Sequence, residues 1–274
     1  MSVAVHTSLT RVALIGVTGR MGQALLRAAP AFPQLLITGA VASPDSLALG
    51  RDVGELIGGG RTNLVVTSDL AAALAHADVA LDFSTAAATA ATLRACRAAR
   101  KPLLLGTTGQ GEDLGASLEE AAREIALLVA ANTSVGVTLL LELTRRAAAA
   151  LPASFDIDVL ELHHRGKREA LSGTAIALGR AAAEGRGMSP VAAWRPAGEM
   201  RGAGEIGFAA VRAGDLVGEH TVLFCGAGEQ LLLTHRATDR AIFARGALSA
   251  ALWLAPRPPG RYGMSEFLGF KTGT

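Results

Sequence analysis

Cysteine is scarce in this sequence: only Cys96 and Cys225 occur among 274 residues, and they lie far apart along the chain. Two distant thiols fit small buried side chains of a reducing compartment better than a disulfide, so the cytoplasm is the expected location. Metal-binding spacings such as Cys-x-x-Cys or His-x-x-x-His are also missing. The adjacent His163 and His164 would point to opposite faces of an extended backbone, so we expect no metal site.

An excess of charge is missing as well, because the formal net charge is only +2 and basic residues are interspersed with acids. This pattern offers no surface for nucleic acid. No uncharged apolar run approaches the length that spans a bilayer, and residues 1–10 lack the basic start and apolar core of a signal peptide. We therefore expect neither nucleic acid nor a membrane as a partner.

What the sequence does contain is enough apolar residues, 50%, to bury a full core in one large domain or two moderate ones. An apolar run at 12–15 precedes a glycine-rich segment and a helical run that ends near residue 29. A strand, a glycine turn and a helix in this order are typical of dinucleotide binding, because the helix start faces the pyrophosphate. Glycines that serve the turns of some other α/β domain are the alternative. The candidate residues are Gly16, Val17, Thr18, Gly19, Arg20 and Met21.

Further apolar runs predict buried strands at 35–41, 64–66, 79–83, 103–105 and 127–129. Helical stretches separate most of these runs, notably at 85–100 and 117–125. Strands that alternate with helices in this way predict the α/β class, with a Rossmann-like, doubly wound parallel sheet.

Cofactor preference is usually set at the end of the second strand, where an acid binds the ribose hydroxyls and a basic residue binds a 2′-phosphate. Here residue 42 is alanine, and the nearest acid, Asp45, follows a proline. Without a well-placed carboxylate, Ser43 together with Arg20 is a candidate site for a 2′-phosphate. The sequence favours NADPH, with NADH also usable.

Two later loops follow predicted strands, at the edge where open α/β sheets bind their ligands. Small residues with hydroxyls and free backbone amides in these loops suit a carboxamide ring. The alternative is that both loops are only strand-to-helix turns, since Thr and Ser also cap helices. The candidates are Gly106, Thr107 and Thr108 in the first loop and Ala130, Ala131, Asn132 and Thr133 in the second.

Beyond residue 152 the pattern changes to α+β. A strand at 157–162 and a helix at 175–184 are followed by a long loop, three strand-like runs and a helix at 240–254. Glycine-containing turns separate the three runs, which predicts an antiparallel meander at 206–212, 219–224 and 230–236. The second domain should therefore contain a mixed sheet.

The segment 161–174 joins the end of a predicted strand to the start of a predicted helix. His163 or His164 is suited to deliver a proton near neutral pH, and Lys167 to hold an anion or act as a second acid. The alternative is that the histidine pair caps the strand and that the nearby cations are solvated. The helix opens with residues whose unpaired N–H groups can hold a carboxylate, namely Ser172, Gly173 and Thr174.

Taken together, these motifs resemble the 4-hydroxy-tetrahydrodipicolinate reductase (dihydrodipicolinate reductase) family over nearly the whole chain. The segments that carry the resemblance are 16–22, 82–84, 106–109, 134–137, 161–174 and 212–220. The resemblance implies the reduction of a cyclic imine that carries two carboxylates, in lysine and diaminopimelate biosynthesis, with NADPH or NADH as the cofactor.

The resemblance also implies roles for residues and domains. His163 would be the proton donor and Lys167 the second catalytic residue, while His164, Gly173 and Thr174 would bind a substrate carboxylate. Family members are homotetramers built through their second domains, and their final segment returns to the first domain. We therefore expect a dinucleotide-binding domain at 1–134 and 244–274, and a substrate-binding and oligomerisation domain at 135–243.

The chain departs from the family pattern at Glu169, Leu171 and Thr133, where the family usually has aspartate, proline and phenylalanine. These departures bear on substrate affinity and cofactor preference more than on the chemistry. Two other functions stay open: a divergent paralogue that reduces another cyclic imine dicarboxylate, and a non-catalytic NAD(P)-binding regulator. The intact His163 and Lys167 argue against the regulator, because a pure binder needs no proton donor.

Overall fold

The computed structural model of the chain describes residues 9–107, 114–169, 171–189, 200–202 and 204–270. It divides into two compact units, Met1–Ser134 together with Ala241–Thr274, and Val135–Arg240. The chain thus passes between the units after residues 134 and 240, compared with 134 and 243 expected from the sequence. The described helices include none that is long and apolar enough to cross a membrane.

Helices and strands alternate through most of the chain. In chain order the elements are β1 (Thr10–Ile15), α1 (Arg20–Ala28), β2 (Leu35–Val41), α2 (Val53–Leu56), α3 (Leu70–Ala75), β3 (Val79–Asp82), α4 (Ala86–Ala98), β4 (Leu103–Leu105), α5 (Leu114–Ala122), β5 (Ala126–Val129), α6 (Val135–Ala150), β6 (Asp156–His163), α7 (Gly173–Gly185), β7 (Ile206–Arg212), β8 (Gly218–Gly226), β9 (Glu229–Ala237), α8 (Ala241–Leu254), β10 (Gly260–Tyr262) and α9 (Met264–Phe267).

The first unit is built on a six-stranded sheet in the order β10-β5-β4-β3-β1-β2, with parallel pairing throughout. Both faces are covered, because residues of the central strands β1, β3, β4 and β5 alternate between two apolar cores. On β1, Val12 and Leu14 pack with α1 and α8, whereas Ala13 and Ile15 pack with α3, α4 and α5. The predicted Rossmann-like, doubly wound sheet is therefore confirmed.

Both edges of this sheet differ in detail from the prediction. The run at 64–66 is not a sheet strand, and beside β2 the chain forms only isolated bridges, Val41 with Thr67 and Asp52 with Val65. Of the three predicted residues only Val66 is buried, so the run has too little apolar surface to be a two-sided strand. At the other edge β10 pairs with β5. β10 was not predicted, because Gly-Arg-Tyr contains no apolar run.

The second unit has a four-stranded sheet in the order β7-β6-β8-β9. β6 pairs parallel with β7 and antiparallel with β8, so the predicted mixed sheet is confirmed. The predicted meander is wrong: β8 and β9 form a hairpin, but β6 lies between β7 and β8. The turn residues at 214–215 do not indicate this order, because strand order depends on burial across the whole sheet. β6 lies between β7 and β8, where Ile157 and Val159 are buried.

Helices α6 and α7 cover one face of the second sheet. Leu140 of α6 and Leu178 of α7 pack there against Val159, Phe208 and Phe224. On the opposite face Val211 and Leu232 remain 47% and 54% exposed. One face of the sheet is therefore core, and the other is an open surface with apolar side chains.

Candidate active site

Close backbone contacts require glycine at two positions after β1. Gly16 has a φ of +85°, and a Cβ there would lie 2.7 Å from the carbonyl oxygen of Phe83. A Cβ on Gly22 would lie 2.2 Å from the carbonyl oxygen of Gly16, so α1 packs directly against the turn. Gly19 is the N-cap residue of α1. The turn thus brings the unpaired N–H groups of α1 to the carboxyl end of β1, as a pyrophosphate site requires.

A cavity of about 430 Å³ opens at this turn. The predicted cofactor residues that line it are Gly16, Thr18, Gly19 and Ser43. Val17 is instead buried in the core, and Arg20 is exposed at the first position of α1. The described residues that line this cavity include no charged side chain, so none of them would repel a 2′-phosphate.

A second cavity, of about 350 Å³, lies at the ends of β4 and β5. Its lining is Met21, Phe83, Gly106, Ala130, Ala131, Asn132, Thr133 and Phe243, which includes six of the predicted cofactor residues. Glycine is required at 106, since a Cβ would lie 2.0 Å from the Phe83 ring. Phe83, which lines both cavities, and Phe243, which α8 contributes, are additions that the sequence reasoning did not assign to the site.

Side chains tie together the loops around the second cavity. The hydroxyl of Thr133 donates to the carbonyl oxygen of Phe243 at 2.7 Å, and Oδ1 of Asn132 accepts from the Ser134 N–H at 2.9 Å. Thr107 follows β4, with its hydroxyl 3.4 Å from the carboxylate of Asp82. Thr108 lies outside the described residues.

In the second unit, the buried face of β6 changes from apolar to polar along the strand. Its first residues pack in the core, and Glu161 and His163 continue the same face. Strand register places His220 of β8 opposite Glu161, and Arg212 of β7 opposite His163. The imidazoles of His163 and His220 and the ion pair of Glu161 with Arg212 therefore lie together at the end of β6.

Glu161 is at the centre of this cluster and is fully buried. Its Oε1 accepts a hydrogen bond from Arg212 at 2.5 Å, and its Oε2 accepts one from the Ser172 N–H at 3.0 Å. Nδ1 of His163 and Nε2 of His220 lie 3.6 and 3.7 Å from Oε2. Burial by itself would raise the pKa of Glu161, but the hydrogen bonds from Ser172 and Arg212 outweigh burial and lower it.

Burial shifts both histidines of the cluster toward their neutral forms. It lowers the pKa of His163, which is 8% exposed; Glu161 opposes this shift, whereas Lys167 and Arg212 add to it. Burial and the neighbouring His163 lower the pKa of His220 to about 4. The two rings meet edge to face with centroids 5.1 Å apart. The fraction of His163 that is protonated at a given pH therefore depends on the charged groups around it.

The predicted partners of His163 follow β6 in the chain. Nζ of Lys167 lies 3.1 Å from the carboxylate of Glu169, whose side chain is 69% exposed. An exposed pair of this kind is weak, so a carboxylate ligand can replace Glu169. His164 lines a separate open cavity of about 520 Å³ together with Arg165, Gly166, Gly214, Asp215 and Arg240.

The start of α7 completes the set of predicted residues. Ser172 is the N-cap: its hydroxyl accepts from the Ala175 N–H at 3.0 Å and lies 2.9 Å from Nε2 of His220. Gly173 and Thr174 are the next two positions, and a Cβ on Gly173 would meet nothing within 4 Å. The first turn of α7 is thus open on the side of Gly173.

Carboxylate and ring-nitrogen atoms of Glu161, His163 and His220 lie within 4.8 Å of one another, a spacing that also suits a metal ion. Both oxygens of the carboxylate already accept hydrogen bonds, and the Arg212 guanidinium repels a second cation. We interpret Glu161, Arg212, Ser172 and His220 as a hydrogen-bonded network, with the His163 ring packed beside it. The expected absence of a metal site stays a prediction.

Known proteins similar to this chain match it over almost its full length. A family model described as the N-terminus of dihydrodipicolinate reductase matches residues 10–133, and one described as its C-terminus matches residues 136–268. The 4-hydroxy-tetrahydrodipicolinate reductases of Anaeromyxobacter dehalogenans and Alkalilimnicola ehrlichii are 45% and 48% identical to the chain. These alignments cover 97% and 95% of this chain, and 100% and 99% of the relatives.

A solved structure with a similar fold is the dipicolinate-bound dihydrodipicolinate reductase from Paenisporosarcina sp. TG-14. The TM-score is 0.76 and the identity is 22%, with 94% of this chain and 98% of that chain covered. The likeness supports the two-sheet architecture described above.

Proposed function

The chain belongs to the dihydrodipicolinate reductase family, and we propose that it carries out the family's reaction with His163 as the proton donor. It is an NAD(P)H-dependent oxidoreductase that reduces 4-hydroxy-tetrahydrodipicolinate to tetrahydrodipicolinate in lysine and diaminopimelate biosynthesis. The observation that carries the proposal is the end of β6, where a buried imidazole, a lysine and an open helix start occur within one segment.

The first unit has the groups that a nicotinamide dinucleotide requires. Gly16 keeps the turn free of a side chain, and the start of α1 supplies N–H groups for the pyrophosphate. When bound, a reduced nicotinamide supplies the hydride. The proposed contacts are Gly16 to Met21 for the pyrophosphate, Ser43 for the adenosine ribose or its phosphate, and Gly106 to Thr108 with Ala130 to Thr133 for the nicotinamide end. NADH or NADPH serves, and the uncharged first cavity supports a preference for NADPH.

The second unit supplies the acid and the anion site. The product lacks the 4-hydroxyl group of the substrate, so this group leaves as water and a carbon–carbon double bond forms. The hydride adds to one carbon of this double bond and His163 protonates the other, a role worth about 10²- to 10⁴-fold in rate. Lys167 exchanges Glu169 for a substrate carboxylate and assists as the second catalytic residue. The remaining proposed substrate contacts are His164, Ser172, Gly173 and Thr174.

Two broader properties belong to the same proposal. A homotetramer assembled through the second unit is supported by the open sheet face, because exposed apolar side chains such as Val211 and Leu232 mark association surfaces. A cytoplasmic location is supported by the free thiols of Cys96 and Cys225. Light scattering after gel filtration should give the mass of four chains, and a monomer would contradict the assembly.

The function is tested by mixing purified protein with freshly prepared 4-hydroxy-tetrahydrodipicolinate and either reduced cofactor. We expect the absorbance of the reduced nicotinamide to fall with both cofactors. A cyclic imine with one carboxylate is the control substrate and should react far more slowly, because Lys167 or the start of α7 would lose its anion. Cofactor binding without any oxidation would instead favour the regulator. Faster turnover of another cyclic imine dicarboxylate would favour the divergent paralogue.

A further inference from the structure

We propose that Glu161 is a positioning residue for the reduction: its carboxylate faces Nδ1 of His163 and orients the imidazole so that Nε2 delivers the proton. This inference rests on the proposed role of His163 as the proton donor. Glu161 itself lies behind the imidazole, two residues earlier on the same face of β6, so it acts through His163 rather than on the substrate.

The carboxylate of Glu161 is fixed before any ligand binds. Arg212 and the Ser172 N–H each bond one of its oxygens, and the side chain has no exposure to solvent. A rigid, buried acceptor orients a neighbouring ring better than a mobile one, because no rotamer freedom is lost when the contact forms.

Nδ1 of His163 is directed toward this acceptor. It is buried and has no hydrogen-bond partner within the described chain, and Oε2 of Glu161 lies 3.6 Å away. A shift of a few tenths of an ångström would bring the two atoms within hydrogen-bond distance. A protonated Nδ1 without this contact would be a buried donor left unpaired, which is unfavourable.

The other ring nitrogen of His163 faces a gap left by a glycine. A Cβ on Gly218 of β8 would lie 3.1 Å from Nε2 and 3.3 Å from Cδ2. Any side chain at 218 would therefore crowd the edge of the ring that carries Nε2. Nδ1 of His163 is therefore buried, whereas Nε2 lies beside Gly218, which has no side chain.

Charges around His163 also single out Glu161. The groups that face the imidazole are Glu161 on β6, His164 and Lys167 after β6, Arg212 on β7, and His220 on β8. Within this set Glu161 supplies the negative charge, while the lysine and the arginine disfavour an imidazolium. The carboxylate therefore offsets part of the lowering that burial and the cations impose on the pKa of His163.

His220 lies beside His163 but does not compete with it for a proton. Burial lowers its pKa to about 4, so the ring is neutral near pH 7. Nε2 of His220 lies 2.9 Å from the Ser172 hydroxyl, which ties β8 to the start of α7. Ser172 thus bonds both Glu161 and His220, and the His163 ring packs beside these two side chains.

The test compares Glu161→Gln with the matched control Glu219→Gln. Glu219 is also an ion-paired glutamate of this sheet, bonded to Arg236 on β9, but it lies one residue from His220 on the opposite face. The first readout is the pKa of His163 in the free protein, from NMR titration of isotope-labelled histidine, with His163→Gln used to assign the signal. The second is the pH profile of kcat/KM.

Because a carboxylate favours the imidazolium, Glu161→Gln should lower the pKa of His163 by about one unit or more. The alkaline limb of kcat/KM should move to lower pH by the same amount, and Glu219→Gln should move neither. Arg212→Met should shift the His163 pKa upward, because it removes a cation and leaves the carboxylate. Opposite shifts from the two halves of one ion pair are not expected from a purely structural role.

An unchanged His163 pKa in Glu161→Gln, even with reduced kcat, would overturn the inference and leave Glu161 as a structural partner of Arg212. Should Glu161→Gln not fold, Glu161→Asp decides: its shorter carboxylate should lower the His163 pKa by less than one unit, and no change would refute the proposal. Full activity of His163→Gln would refute the proposed function instead, so the two failures are distinguishable.

Discussion

Removing the hydroxyl of Ser172 should destabilise the second unit by more than the loss of a helix cap alone. The hydroxyl accepts from the Ala175 N–H at 3.0 Å and also contacts Nε2 of the buried His220 at 2.9 Å. Loss of a serine N-cap typically costs about 1 kcal/mol. Leaving a buried polar atom without its partner costs about 1–3 kcal/mol. We therefore expect Ser172→Ala to lower the free energy of unfolding by roughly 2–4 kcal/mol.

The matched control is Asp69→Ala, which removes the N-cap of α3. Oδ1 of Asp69 accepts from the Ala72 N–H at 3.0 Å, and this residue is exposed. Its loss should cost only the capping contribution, about 1 kcal/mol. The difference between the two variants then measures the buried contact to His220.

Denaturant unfolding followed by circular dichroism gives both free energies, and hydrogen exchange of the Ala175 amide reports the cap directly. Ser172→Ala should accelerate exchange at Ala175, whereas Ser172→Thr should retain most of the protection because threonine also caps. Equal costs for Ser172→Ala and Asp69→Ala would refute the assigned contact to His220. Unchanged exchange at Ala175 would refute the cap.

Three further predictions follow from individual side chains. Glu169→Gln should lower KM for the substrate by about two- to fivefold, with little change in kcat, because it releases Lys167 from an exposed ion pair. Steady-state kinetics measure both constants, and an unchanged KM would contradict the prediction. Ser43→Asp should weaken NADPH relative to NADH by roughly tenfold, about 1.4 kcal/mol, through repulsion of the 2′-phosphate, measured as the ratio of the two Kd values. Burial lowers the folded-state pKa of His220 to about 4, below the ordinary histidine value of about 6.5. The stability that the neutral ring contributes is therefore complete above about pH 6.5 and is lost as the pH falls to 4. Between these pH values the wild type should lose about 3 kcal/mol more than His220→Gln in denaturant unfolding, and parallel curves would contradict this.

The sequence predicted the first sheet well because its strands are buried on both faces. Such strands are short apolar runs, and the chain shows them at β1, β3, β4 and β5 with little ambiguity. The same rule explains the errors at the edges. The run at 64–66 is too exposed to be a strand, whereas β10 has three residues, pairs with β5 and packs the single side chain of Tyr262 against the apolar core.

In the second unit the local pattern gave the strands but not their order. Turn residues at 214–215 suggest a hairpin, yet the partner of a strand is chosen by burial across the whole sheet. Here β6 lies in the centre, and this placement brings Arg212 and His220 beside Glu161 and His163.

The candidate site divides in the same way. His163, Lys167 and Ser172 could be named as candidates from the sequence alone, because they occur within one short segment between a strand and a helix. Phe243 was not, since the contact with Thr133 joins residues that are 110 positions apart. The network around Glu161 required strand register, which no single-sequence pattern supplies.

The assignment of His163 as the proton donor is tested most directly by the turnover of His163→Gln with 4-hydroxy-tetrahydrodipicolinate at saturating NADPH. We expect kcat to fall by about 10²- to 10⁴-fold, while the Kd for NADPH, measured by fluorescence titration, stays at the wild-type value. Turnover of His163→Gln equal to that of the wild type would contradict the account.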